Sequence, residues 1–276
     1  MDRLVFGVAG VPSDSEKPTS EAGIERVRAL GLGSMEMAWV HGVKLGEEAA
    51  LGIRATAEEN GIRLSAHGAY YINLNADDPA IRARSKERIL KGARMGNLCG
   101  ISSLVFHAAS YMRRDPEEVY GLVKEALEEI SETLGLEGNS VILRPEITGK
   151  PSYFGNLDEL LRLSSEVDRV APCIDFAHLH ARSGGASNSL ADFASVLEQI
   201  GTELGPKALE NMHIHVAGIQ YTDKGEQKHR MLDDSDLKYR ELLAALADYG
   251  AKGLVICESP DPVPDALLLQ REYAAG

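Results

Sequence analysis

Short apolar runs alternate with longer amphipathic stretches along this chain, and the alternation repeats eight times. The apolar runs cover residues 4–11, 34–39, 63–71, 102–108, 140–147, 171–176, 212–219 and 253–258. Between them, apolar residues recur three and four apart, as on one face of a helix, over 21–30, 47–60, 81–97, 116–134, 157–167, 190–204 and 237–249; a last such stretch covers 264–273. Glycines stand where helices should stop, at Gly31, Gly61, Gly100, Gly138 and Gly250. Start signals include Ser20 and the pair Asp115-Pro116, with proline at the first helical position. The apolar runs look nearly continuous, as strands covered on both faces do. Eight strand–helix units at this spacing predict a single (β/α)8 barrel over residues 1–276, with two long loops at 68–79 and 220–236.

Composition narrows the function classes. The 276 residues carry 29 Lys and Arg against 42 Asp and Glu, a net charge of −13. Such a surface repels polyanions as a whole, which argues against loose charge-driven binding to nucleic acid or an anionic membrane. No apolar run is long enough to span a bilayer, and residues 1–18 read as a first strand rather than a signal peptide. Three cysteines, Cys99, Cys173 and Cys257, form no disulfide framework and are expected as buried free thiols in a reducing cytoplasm.

The candidate chemistry sits at the strand ends. Barrel enzymes build their sites from the C-terminal ends of strands. Six consecutive runs here finish on or beside a potential metal ligand: His67, His107, Glu146, Asp175 with His178, His215, and Glu258. The long loop after the seventh run adds His229. Any one of these alone reads more readily as a hydrogen-bonded structural histidine or, for an acid such as Asp175 or Glu258, a helix cap. Together they would converge on one barrel mouth, where unpaired charges are costly and carboxylates without a cation repel. Mixed imidazole and carboxylate donors suit zinc, with manganese the alternative. Eight donors exceed the need of one ion and suit two or three, the arrangement used for phosphoester hydrolysis. His213 and His215 share strand parity, and His215 is favoured as the ligand because it lies nearer the mouth.

At these residues the sequence resembles the endonuclease IV family of abasic-site DNA repair enzymes, within the xylose-isomerase-like barrels. The matching pieces are Ser65-Ala66-His67-Gly68-Ala69-Tyr70 with Ile72-Asn73-Leu74, Phe106-His107, Pro145-Glu146, Asp175-Phe176-Ala177-His178, His213-Ile214-His215, Lys228-His229 and Cys257-Glu258. The resemblance implies a hydrolase with a trinuclear zinc site. His67, His107 and Glu146 would hold one ion; Glu146, Asp175, His215 and Glu258 a second; His178 and His229 a third. It also implies cleavage 5′ to an abasic site in duplex DNA, Glu146 as the catalytic residue that orients the nucleophile, and Tyr70 as a DNA-contacting aromatic. One departure stands out: the family places an Asp two residues before the loop histidine, and here that position is Gln227, with Glu226 beside it.

Other features leave the partner open. Trp39 reads either as a wedge inserted into DNA or as a buried barrel residue, and Lys44 is the one fixed positive charge near it. Arg113, Arg114, Lys224, Lys228 and Arg230 are candidates for a basic rim over the mouth, or are ordinary solvated charges. The competing reading is a sugar isomerase or epimerase with a single Mn²⁺ or Mg²⁺, Glu146 and Glu258 acting as acid and base on a small phosphorylated sugar. A non-catalytic zinc-loaded barrel that binds DNA or protein is the third.

Overall fold

The computed structural model describes residues 2–276. The elements run in chain order β1 (Leu4–Ala9), α1 (Ser20–Ala29), β2 (Ser34–Ala38), α2 (Glu47–Asn60), β3 (Arg63–His67), α3 (Pro79–Cys99), β4 (Ser103–Phe106), α4 (Pro116–Leu136), β5 (Ile142–Pro145) and α5 (Leu157–Glu166). They continue with β6 (Cys173–Asp175), α6 (Phe176–Arg182), α7 (Leu190–Glu203), β7 (Met212–Val216), β8 (Gly218–Thr222), β9 (Gly225–Arg230), α8 (Tyr239–Asp248), β10 (Gly253–Cys257) and α9 (Pro262–Ala275). Eight strands form one parallel sheet in the order β5-β4-β3-β2-β1-β10-β7-β6. Parallel bridges at Leu143–Val170 and Glu146–Cys173 bring β5 to β6, so the sheet curls into the expected (β/α)8 barrel.

Local signals explain the helix ends. Asp78 and Asp115 cap α3 and α4 ahead of prolines, and Asn156–Glu159 and Ser189–Asp192 form capping boxes on α5 and α7. Helices α2 and α3 stop at Gly61 and Gly100, which take left-handed backbone at φ 64° and 75°. The cap of α1 is Thr19, one residue before the expected Ser20. The long loop 220–236 is not irregular: most of it is the antiparallel β8–β9 hairpin. The sequence also concealed α6, a short helix that begins directly at the end of β6.

The strands prove to alternate rather than run apolar throughout. Register across the sheet puts Ser34, Glu36, Ser65, His67, Ser103, His107, Arg144, Glu146, Cys173, Asp175, His213, His215 and Glu258 in like phase. Contacts such as Arg144 Nε to Ser103 Oγ (3.2 Å) and Ser65 Oγ to Glu36 Oε2 (2.7 Å) show that this phase faces the barrel axis. The opposite phase (Met35, Leu64, Leu104, Leu143, Ile174, Ile214, Val255) is buried under the helices. The barrel interior is thus polar through much of its depth, and the apolar core lies mainly between strands and helices.

Candidate metal centre

All eight sequence-derived ligand candidates meet at the C-terminal mouth of the barrel. Glu146, almost fully buried, lies at the centre. His67 Nε2 lies 3.0 Å and His107 Nε2 2.9 Å from its Oε2; His215 Nδ1 lies 2.9 Å and His178 Nδ1 3.5 Å from its Oε1. His215 Nδ1 is also 3.5 Å from Glu258 Oε2. Asp175, the last residue of β6, caps α6 by accepting from the His178 amide at 2.6 Å. Its other oxygen, Oδ2, is buried without a hydrogen-bond partner, 3.3 Å from His178 Nδ1. The eight donors fall into three overlapping groups: His67, His107 and Glu146; Glu146, Asp175, His215 and Glu258; Asp175, His178 and His229; His215 also meets Cys173 and His213 in a fourth.

Ring orientation tests whether these residues suit a cation. His67 Nδ1 donates to the Gly68 carbonyl (2.9 Å), His178 Nδ1 to that of Ile147 (2.9 Å) and His229 Nδ1 to that of Glu258 (3.1 Å). Fixing the proton on Nδ1 leaves an Nε2 lone pair on each ring, aimed inward. His178 and His229 then face each other Nε2 to Nε2 at 3.4 Å, and His67 faces a carboxylate oxygen. Lone pairs opposed in this way repel unless a cation or a proton lies between them. The donor set and its tautomers therefore fit divalent metal.

Without metal the cluster holds protons instead. Burial disfavours a charged His67 ring, but Glu146 outweighs burial and lifts it to about 9. His178 and His215 are raised well above their ordinary value, burial being overcome by Asp175 and Glu146 for the first and by the surrounding acids, with Cys173, for the second. Glu146 is held well below the usual carboxylate range by its imidazoles despite its burial. Asp175 moves the other way, to about 6, chiefly through burial.

The hairpin supplies an unexpected carboxylate. Tyr221 pairs with Glu226 and Gln220 with Lys228, so Gln227 has no partner and forms a β-bulge. The bulge shifts the strand's phase, bringing Glu226 and His229 to the same side although they are three residues apart. Glu226 Oε2 lies 3.5 Å from His178 Nε2, while exposed Gln227 accepts from Gln220 Nε2 outside the cluster.

Several other expectations resolve. His213 lies inside the barrel as expected, its Nε2 2.9 Å from Glu36 Oε2. Trp39 is buried in the core, so the reading as a DNA wedge is overturned. Tyr70 is 64% exposed at the rim, its ring 5.9 Å from that of His67. The mouth opens into a cavity of about 690 Å³ lined by Ala9, Val11, Ser13, Tyr70, Ser259–Pro262 and the cluster. No Lys or Arg lines it, which corrects the basic rim: Arg114 pairs with Asp77, Arg230 binds Gln220, and Arg113, Lys224 and Lys228 are solvated. All three cysteines are free and buried. No described helix is long and apolar enough to cross a membrane.

Glu36 escaped the sequence reading. It is buried inside β2, with Oε1 3.0 Å from His215 Nε2 and Oε2 bonded to Ser65 and His213. An acid in the middle of the run Ser34-Met35-Glu36-Met37-Ala38 was the available signal, because a buried carboxylate needs partners.

Comparison with known proteins agrees with the barrel fold. A protein of Methanocaldococcus jannaschii of uncharacterised function is 42% identical over 270 residues, covering 98% of this chain and 97% of its own. A probable endonuclease 4 of Mycoplasma genitalium is 25% identical over 211 residues, 74% of this chain and 69% of its own. Among solved structures, endonuclease IV from Thermus thermophilus superposes with TM-score 0.75 at 19% identity, over 99% of this chain and 98% of its own. A D-psicose 3-epimerase superposes with TM-score 0.68 at 18% identity, over 98% and 96%. At these identities the structural likenesses speak for the fold. Residues 24–274 match the xylose isomerase-like TIM barrel family, and the chain belongs to it.

Proposed function

We propose that this protein is a zinc-dependent phosphodiesterase of the endonuclease IV type, a DNA repair hydrolase that cleaves duplex DNA 5′ to abasic sites. The observation that carries the reading is the division of eight donors into three groups joined by shared Glu146 and Asp175. A single-ion site has no use for so many inward-facing imidazoles. His67, His107 and Glu146 would hold one ion, and Glu146, Asp175, His215 and Glu258 a second. His178 and His229 would hold the third, with bulge-directed Glu226 supplying the acid that Gln227 cannot. When bound, clustered divalent ions lower the pKa of water and neutralise charge on a phosphodiester.

The chain's own groups do the positioning. Backbone carbonyls of Gly68, Ile147 and Glu258 hold the rings of His67, His178 and His229 with Nε2 inward. Glu146 orients the nucleophile as the catalytic residue. Tyr70, half in solvent beside the cluster, offers a face on which a base or sugar can stack. The whole of 1–276 acts as one barrel domain, and the buried free thiols suit a cytoplasmic setting. The test is metal analysis together with incubation on an abasic-site duplex. Two to three zinc ions per chain and a chelator-sensitive nick 5′ to the lesion support the reading. One weakly held ion and no nick at high protein concentration reject it.

A second reading has one specific observation in its favour. The mouth cavity contains no Lys or Arg to meet a DNA backbone and is of small-molecule size. That suits a sugar epimerase or isomerase, with Glu146 and Glu258 as acid and base on one Mn²⁺ or Mg²⁺. The metal count separates the two before any substrate is chosen.

A further inference from the structure

Four imidazoles of the cluster differ in what holds them. His67, His178 and His229 are each fixed by a backbone carbonyl on Nδ1 and present Nε2 inward. His215 is reversed. Its Nδ1 is hydrogen-bonded to Glu146 Oε1 at 2.9 Å and lies 3.5 Å from Glu258, while its Nε2 lies 3.0 Å from a carboxylate oxygen, Glu36 Oε1. No Lys or Arg of the described residues pairs with Glu36; its charged-type partners are His213 and His215. The Ser65 hydroxyl and His213 Nε2 both point at the other oxygen, Oε2, at 2.7 and 2.9 Å, so the carboxylate cannot turn without breaking two buried contacts. Oε1 has no hydrogen-bond partner of good geometry, and neither has His215 Nε2, although the two atoms are in contact. A cation taken up on Nδ1 would displace the proton there and leave Nε2 as the nitrogen that carries the ring's proton, facing Glu36.

We infer that Glu36 is a positioning residue for the metal centre, locking His215 with its proton on Nε2 and its lone pair on Nδ1. This rests on the metal-dependent reading given above, and it is specific to one part of it. The three carbonyl-held rings serve the outer groups, whereas His215 belongs to the group Glu146, Asp175, His215 and Glu258. A carboxylate behind a ligating imidazole fixes its tautomer and raises its basicity more than a neutral carbonyl does. Glu36 therefore strengthens one ion selectively, from a buried position off the mouth cavity and without touching substrate.

The test uses the full-length protein loaded with Zn²⁺ or Co²⁺. Glu36→Gln keeps the shape of the side chain and removes its charge. Chelator competition should show one ion weakened roughly 10- to 100-fold, with the other ions at wild-type affinity. The Co²⁺ absorption bands should lose one ion's contribution at a chelator concentration where wild type keeps all of them. Ser65→Ala, which removes one contact and no charge, should shift that affinity much less. Wild-type affinity for every ion in Glu36→Gln overturns the proposal, as does equal weakening of all ions. Should Glu36→Gln fail to fold, ¹⁵N-histidine NMR of the Zn-loaded wild type decides: one metal-bound ring must carry its proton on Nε2, and finding all of them protonated on Nδ1 overturns the assignment. Failure of the broader reading looks different, since wild type would then retain no tightly held metal at all.

Discussion

Stripping the metal should make stability respond to pH in a direction that the loaded protein does not share. In the stripped state His67 titrates near 9 against an ordinary 6.5, and His178 and His215 are raised in the same direction. A group raised on folding stabilises fully below its unfolded value, and that contribution is lost as pH climbs through the folded value. The window is therefore pH 6.5 to 9, and Asp175, which titrates near 6, has largely ionised before it begins. For His67 alone the shift is worth about 3 kcal/mol, or roughly 5–10 °C in Tm for a chain of this size. In the loaded protein the same rings are neutral ligands, and protons compete with metal. Metal-induced stabilisation should grow across the window while the stripped protein weakens. Thermal unfolding at half-unit pH steps, with EDTA or with Zn²⁺ in slight excess, measures both curves. A gap that stays constant from pH 6.5 to 9, or a stripped protein that gains stability toward pH 9, would refute the reasoning.

Three further outcomes are expected. Glu146→Gln should cut abasic-site cleavage by at least about 10²-fold, the low end for loss of a positioned acid–base group, with an unaltered far-ultraviolet CD spectrum. Because no Lys or Arg lines the mouth, the salt dependence of abasic-duplex binding should be shallow, with a log–log slope corresponding to roughly three phosphate contacts or fewer; a slope near −8 would contradict the small footprint. Gly7→Ala would drive a Cβ into the Ser34 carbonyl where β1 meets β2, and a urea titration should show about 2–3 kcal/mol of destabilisation.

Much of the site was legible because barrel topology converts strand ends into one neighbourhood. Once eight strand–helix units were counted, His67, His107, Glu146, Asp175, His215 and Glu258 had to converge, whatever the details of packing. What stayed hidden depended on phase and register. Gln227 reads as a lost ligand until the bulge shows that the strand has slipped by one and that Glu226 takes the inward position. Glu36 escapes notice within an apolar run, and its role shows only once its carboxylate is seen against His215 inside the barrel. The rim cations were misread for separate reasons: Arg114 is taken by Asp77, Arg230 by the Gln220 side chain, and Arg113, Lys224 and Lys228 stay in solvent.

The sequence by itself determined the eight strand–helix units and their order, the family-like ligand pattern and the −13 charge, though not α6 or the β8–β9 hairpin, since periodicity, caps and composition are local properties. Only the tertiary structure decided which nitrogen each histidine turns inward, that Glu226 rather than Gln227 stands beside His178, and that no Lys or Arg lines the mouth cavity. Those depend on contacts between residues as far apart as Glu36 and His213, and no local pattern encodes them.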